Sequence, residues 1–270
     1  MSLMPTAPRS IGGVLDDAIR LYRKTLSACI PIVLVGVVLS TPVGLWIALR
    51  TQSLAATGDP AAVLSLFSSP SVWLAYLAMM VVYVTIYGAL IHQVDAIAHG
   101  RRASFAEAMG HGLQRLPAML GVSILFGLAV LVGTVLLVIP GIWVWGLLQF
   151  AFVAVVLERT GVLESFGVSR RLVSGNWWRA NVVIFVAMVI LIVLAMVLGV
   201  VGGLIVAMAG LADAASSTGA QVVSQLVSAV LNVFTMSFYP CVLLAVFNDL
   251  KLRKEGGDLL DRVGALTPAG

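Results

Sequence analysis

His92, Asp95 and His99 lie at i, i+3 and i+7, a spacing that gathers two imidazoles and a carboxylate on one face of a helix. Such a trio can hold a metal or relay protons. Nothing nearby fixes a further ligand, and the trio falls where an apolar run gives out. It therefore reads as the wetted end of a membrane helix, with no metal, cofactor or catalytic residue assigned. A longer polar series is Gln221, Gln225, Ser228, Asn232, Thr235 and Tyr239, at offsets of four, three, four, three and four. A polar line down an apolar helix must face protein or water, because amides facing lipid stay unsatisfied. Together with Gln149 this series serves either hydrogen bonding between helices or a path for a solute. A third group is basic: Arg20, Arg23, Lys24, Arg170, Arg171 and Arg179 stand beside apolar runs, where cations meet anionic headgroups.

Other chemistry is missing from the sequence. There is no H-E-x-x-H, P-loop or G-x-S-x-G motif and no paired acids in one cytosolic motif, so no enzyme is expected. No charge sits in mid-run, which argues against a proton- or sodium-coupled transporter. Cys29 and Cys241 lie inside apolar runs and read as small hydrophobes, not as a disulfide framework.

The elements that carry these residues follow from composition. The chain is 60% hydrophobic and 10% charged, with a mean hydropathy of +1.07, where soluble domains carry about 25% charged residues. The expectation is an all-α, polytopic membrane bundle of six transmembrane helices in three hairpins, forming one domain over residues 1–270. The organising stretch runs from Leu116 to Leu157 without a charge and is broken once, at Pro140-Gly141. About 20 apolar residues cross a bilayer core, so this is two crossings with the reversal at Pro140-Gly141. Spans are expected at about 25–49, 71–91, 117–139, 142–157, 180–211 and 221–247. Residues 1–24 read as an uncleaved amphipathic interfacial helix capped by Ser10, residues 213–220 as a loop, and 249–270 as a polar tail with a frayed end. Surface helices beginning near Ile11, Phe105 and Val162, each followed by a hairpin, form a weak threefold repeat.

Two small-residue stripes predict close helix packing: Gly36, Ser40 and Gly44, and Ala195, Gly199, Gly203 and Ala207. The charge distribution sets the topology. An even span count places fifteen of the sixteen basic residues on one side, leaving Arg50 alone on the other. The positive-inside rule then puts both termini in the cytoplasm.

One resemblance is carried by Ser10-Ile11-Gly12, Leu15-Asp16, Leu21-Tyr22-Arg23-Lys24, Pro140-Gly141-Ile142-Trp143, Glu158, the run Ser169 to Trp178, and Asn248 to Gly256. In their order these resemble the membrane domain of some bacterial glycerophosphoryl diester phosphodiesterases and its free-standing YciC-like relatives. The resemblance implies a multi-pass protein of the bacterial inner membrane. A catalytic barrel follows this domain in the fused members, whereas this chain stops soon after Asp261-Arg262, so the enzymatic name is not expected to transfer. The leading expectation is a non-enzymatic accessory or scaffold protein of the cell envelope that interacts with membrane lipids. The alternative is a translocator or channel for a lipid or small solute along the last span. Expected partners are membrane lipids and a second copy or another membrane protein; nucleic acid is not expected.

Overall fold

The computed structural model describes residues 3–208 and 218–266, and all regular structure among them is helical. Six stretches are long and apolar enough to cross a membrane: Ile11–Ala55, Pro70–Ala98, Phe105–Leu136, Val138–Leu157, Trp177–Met208 and Gln225–Lys254. The protein is thus an all-helical, multi-pass membrane protein. In chain order its helices are α1 (Ile11–Ala55), α2 (Pro60–Leu64), α3 (Pro70–Ala98), α4 (Phe105–Leu136), α5 (Val138–Leu148), α6 (Ala151–Leu157), α7 (Val162–Val173), α8 (Trp177–Met208) and α9 (Thr218–Leu266). α1 packs on α3 and α9, α3 on α4, α4 on α5, and α8 on α9.

Three helices begin where the repeat places them, and two are capped by serine. The Ser10 hydroxyl accepts from the Gly13 N–H at 3.1 Å, and the Ser104 hydroxyl from the Glu107 N–H at 3.2 Å. At Gly161 the backbone N–H instead donates to the Glu164 carboxylate at 3.2 Å. Beyond these starts the structure is simpler than expected. α1 and α4 run unbroken from cap to span, because no glycine or proline interrupts residues 14–30, and Pro31, Pro42 and Pro117 are absorbed inside helices. Only α7 stands apart, ended before α8 by a turn in which Gly175 takes a φ of +81°. The loop expected at 213–220 lies outside the described residues up to 217, and α9 already includes Thr218–Ala220. The chain end at 267–270 also lies outside them.

The central hairpin turns three residues before the expected Pro140-Gly141. Leu137 is extended, with φ −165° and ψ 146°, and α5 starts at Val138. Pro140 then sits in the first turn of α5, where a missing N–H costs no helical hydrogen bond. The glycine serves close approach: a Cβ on Gly141 would meet the Thr134 backbone at 2.9 Å, and one on Gly133 would meet Gly141 Cα at 3.0 Å.

Of the first small-residue stripe, Gly36 abuts Ile86 of α3, since a Cβ there would lie 3.0 Å from its Cγ1. Ser40 bonds the Val37 carbonyl of its own helix at 3.3 Å, and Gly44 has nothing within 4 Å. The second stripe points away from the bundle. Gly199, Gly203 and Ala207 are exposed and Ala195 half-buried, while the neighbouring Gly202 is buried against Val227 of α9.

Burial is concentrated at one end. The main core joins Val14 to Val33, Ile86 to Ala98, Leu147 to Ala154, Val168 to Val173, Ala180 to Ala187 and Phe238 to Leu250. Toward the other end, Val135, Leu136, Leu137 and Ile139 are largely exposed, as are much of α8 and the α2 region. A bilayer solvates such side chains without burial in protein.

Candidate functional site

The packed end carries nearly all the charge, and its centre is Asp249 on α9. The apolar run of α9 ends at Phe247, so this carboxylate lies just outside the crossing. Its Oδ1 accepts from the Arg9 N–H at 2.8 Å, and its Oδ2 from Arg179 Nε at 3.2 Å and Arg253 Nε at 2.9 Å. The Arg9 carbonyl in turn accepts from Arg253 Nη2 at 2.7 Å and from Arg179 Nη2. Burial alone pushes the Asp249 carboxyl up. The hydrogen bonds from Arg253, Arg9 and Arg179 outweigh it and hold the group below its ordinary value.

Around this node the N-terminal segment laces the helices together. The Leu3 N–H donates to the Ala98 carbonyl at 2.7 Å, and the Asn248 amide to the Pro5 carbonyl at 3.4 Å. Lys251 adds an ion pair to Glu158 at 2.8 Å. One end of α3, α8 and α9 is thereby tied to the same strip of chain, and the Lys251 pair joins the end of α6 to α9.

The basic residues singled out in the sequence divide into two kinds. Arg179 is committed to Asp249, and Arg20 pairs with the buried Asp17. Arg23, Lys24, Arg170 and Arg171 are exposed, with no ion pair among the described residues. These four can meet headgroups. The two others shape the protein.

The His92, Asp95 and His99 series does not act as a unit. Asp95 pairs with His99 at 3.1 Å and with Arg101 at 3.2 Å, while His92 turns to α4 and stacks on His111 with ring centroids 4.1 Å apart. His111 Nε2 lies 3.2 Å from the Val156 carbonyl. Among the described residues no three metal-ligating side chains gather.

The intramembrane polar residues also divide. Gln149 is only 2% exposed and links three elements: its Oε1 accepts from the Tyr239 hydroxyl at 3.1 Å, and its Nε2 donates to Asn181 Oδ1 at 3.1 Å. Asn181 then donates to the Trp177 carbonyl at 2.8 Å. A Cβ on Gly146 would collide with the Asn181 amide, so glycine makes room for this network. Tyr239 stands ten residues before Asp249, on the order of 15 Å at the helical rise, which is close to the middle of a bilayer core. The other members with described side chains behave differently, and that of Gln221 lies outside them. Asn232 and Thr235 bond the Ser228 and Leu231 carbonyls of their own helix at 2.9 and 2.6 Å, Ser228 and Thr235 are exposed, and Gln225 is half-buried.

Beside Gln149 and Tyr239 is a cavity of about 320 Å³, walled by Tyr83, Tyr87, Phe126, Trp145, Phe152 and Met236. Sequence reasoning identified Gln149 but not its partner Asn181 or the aromatic wall, which is drawn from five separate stretches. The network is expected to stabilise the fold. Gln149→Leu leaves the Tyr239 hydroxyl and the Asn181 Oδ1 without partners, and is expected to cost about 1–2 kcal/mol. Thermal unfolding in detergent measures this, and the double variant with Asn181→Leu should cost less than the sum of the single changes.

Residues 31–250 match a family model described as "Domain of unknown function (DUF7847)". No curated protein and no solved structure matches.

Proposed function

The chain belongs to the DUF7847 family, and on that premise we propose, from the geometry of the molecule, that it is a non-enzymatic accessory or scaffold protein of a bacterial inner membrane, with its charged end in the cytoplasm and in contact with lipid headgroups. The observation that carries this reading is the Asp249 node. It locks the N-terminal segment, α8 and α9 into one platform at the membrane edge, while Arg23, Lys24, Arg170 and Arg171 remain exposed around it. A fixed platform ringed by cations suits holding a surface or a partner, each cation near an anionic leaflet contributing about 1 kcal/mol. Kinship with the membrane domain of the phosphodiesterases belongs to the same proposal.

The alternative, a translocator for a lipid or small solute, draws on the aromatic cavity beside Gln149. The two readings separate in vesicles. With the scaffold reading, purified protein does not accelerate dithionite quenching of inner-leaflet NBD-phosphatidylglycerol, and Gln225→Leu with Asn232→Leu changes only stability or oligomeric state. Flip activity that the double variant abolishes while it stays folded overturns the scaffold reading. Orientation is checked in intact cells: a cysteine at Ser104 should resist impermeant maleimide, and one at Ile139 should react.

A further inference from the structure

At the charged end a cleft of about 510 Å³ opens between α1 and the turn that joins α3 to α4. Its lining includes Lys24 and Ser27 of α1, Gln93 of α3, and Arg101 and Arg102 of the turn. The turn has a clear physical origin. α3 ends with the Gly100 N–H on the Ile97 carbonyl at 3.0 Å and the Arg101 N–H on the Ala96 carbonyl at 2.8 Å, a paired closure that needs the φ of +75° at Gly100. Glycine adopts that angle without strain. The chain is thereby folded back, so that Arg101, Arg102 and Ala103 return alongside Gln93.

Gln93 is the informative residue. Only 4% of it is exposed, its Nε2 donates to the Ala103 carbonyl at 3.1 Å, and its Oε1 is buried without a hydrogen-bond partner. The Nε2 contact fixes which end of the amide is which. A buried acceptor left open is destabilising unless a donor reaches it. Lys24 and Arg102 are exposed at the rim and form no ion pair among the described residues, whereas Arg101 is shared with Asp95 at 3.2 Å. The cleft thus carries cations at its mouth and, among its lining residues, a glutamine with one unmet acceptor.

We propose that this cleft binds a phosphate ester that also carries a hydrogen-bond donor: the phosphate meets Lys24 and Arg102, and a hydroxyl or ammonium beside it meets Gln93 Oε1. A phosphate alone satisfies the cations and leaves Gln93 unmet. A neutral alcohol does the reverse. Lys24 directly precedes the first apolar run and Gln93 follows the second just past His92, so the site sits at headgroup depth. A phospholipid headgroup and a soluble glycerol phosphate share the required chemistry. The inference deepens the lipid-contact reading above and rests on it for the membrane source.

The test uses the full chain, delipidated in detergent, with native mass spectrometry and thermal shift as readouts. Three lipids are compared: phosphatidylglycerol, phosphatidylmethanol, which has the same charge but no hydroxyl, and phosphatidylcholine, which has no donor. Glycerol 3-phosphate is the soluble arm. Phosphatidylglycerol is expected to bind most tightly. Lys24→Gln with Arg102→Gln, both at exposed positions, should weaken it about thirtyfold without shifting the lipid-free melting temperature. Gln93→Leu should erase the preference for phosphatidylglycerol over phosphatidylmethanol. Tight binding of glycerol 3-phosphate with no preference among lipids supports the site and assigns it to a soluble ester. Phosphatidylglycerol binding that is unaffected by the double variant overturns the cleft while leaving the lipid-contact reading intact. Equal binding of all three lipids and no binding of glycerol 3-phosphate overturns both.

Discussion

Asp249→Asn is expected to lower the stability of the detergent-solubilised protein by about 2–4 kcal/mol at neutral pH. Removing one partner of a buried ion pair costs about 3–5 kcal/mol, because the remaining charge is left desolvated and unmatched. Here the carboxylate side chain is 5% exposed, but its partners Arg179 and Arg253 are 23% and 29% exposed, so solvent relieves part of that cost. Asparagine keeps the shape and one acceptor yet leaves two guanidinium groups without a counter-charge. The pH dependence gives a second reading. The folded-state value of Asp249 is lowered, so its contribution is fully present above the unfolded value near 3.9 and is lost as pH falls through the folded value. The melting temperatures of wild type and Asp249→Asn should therefore differ at pH 7 and converge as the medium is acidified past the unfolded carboxylate value and on through the lowered folded one. Asp16→Asn, at an exposed acid on the same end, should change little. A variant at 249 as stable as the parent would remove the node from its place in holding the platform.

The architecture was legible because a bilayer imposes long apolar runs, and six such runs stand in the sequence between clusters of charge. Helix starts at Ile11, Phe105 and Val162 were legible for a local reason: Ser10, Ser104 and Gly161 precede them and cap or admit them. Helix ends were harder. Proline and glycine at 140–141 mark the hairpin, but proline belongs inside the first turn of a helix as readily as before it, and the reversal falls at Leu137. The site residues split along the same line. Arg179 looks like a headgroup ligand in the sequence, and only the fold brings Asp249 to it, whereas the pairing of Arg20 with Asp17 follows from their i, i+3 spacing on one helix. Arg101 and Arg102 look like a topology signal, and only the closure at Gly100 returns them to Gln93. Pairing between distant segments carries no periodicity, so a pattern of spacings along one helix cannot reveal it.

Helix packing gives the sharpest case of that rule and the second large effect. Gly112→Leu is expected to prevent assembly of the native bundle, and Gly112→Ala to cost about 1–3 kcal/mol. A Cβ on Gly112 of α4 would overlap the Thr85 carbonyl oxygen and lie 3.0 Å from the Ala89 backbone nitrogen of α3. Those obstacles are main-chain atoms, so no rotamer change relieves the clash and the helices must separate. Gly88 faces the same crossing, where an added Cβ would be 3.5 Å from Gly112 Cα. Backbone contact of this kind is what holds membrane helices together when lipid tails are as apolar as the side chains they displace. Gly199→Leu is the matched comparison: that glycine belongs to the more conspicuous stripe, yet an added Cβ there meets nothing within 4 Å, and the lipid-facing change should leave the melting temperature of the monomer almost unaltered. Folded yield after size-exclusion chromatography and thermal unfolding in the same detergent distinguish the two. Equal tolerance at 112 and 199 would show that α3 and α4 do not meet backbone to backbone, and with that the placement of His111 against His92, at the same crossing, would also fall.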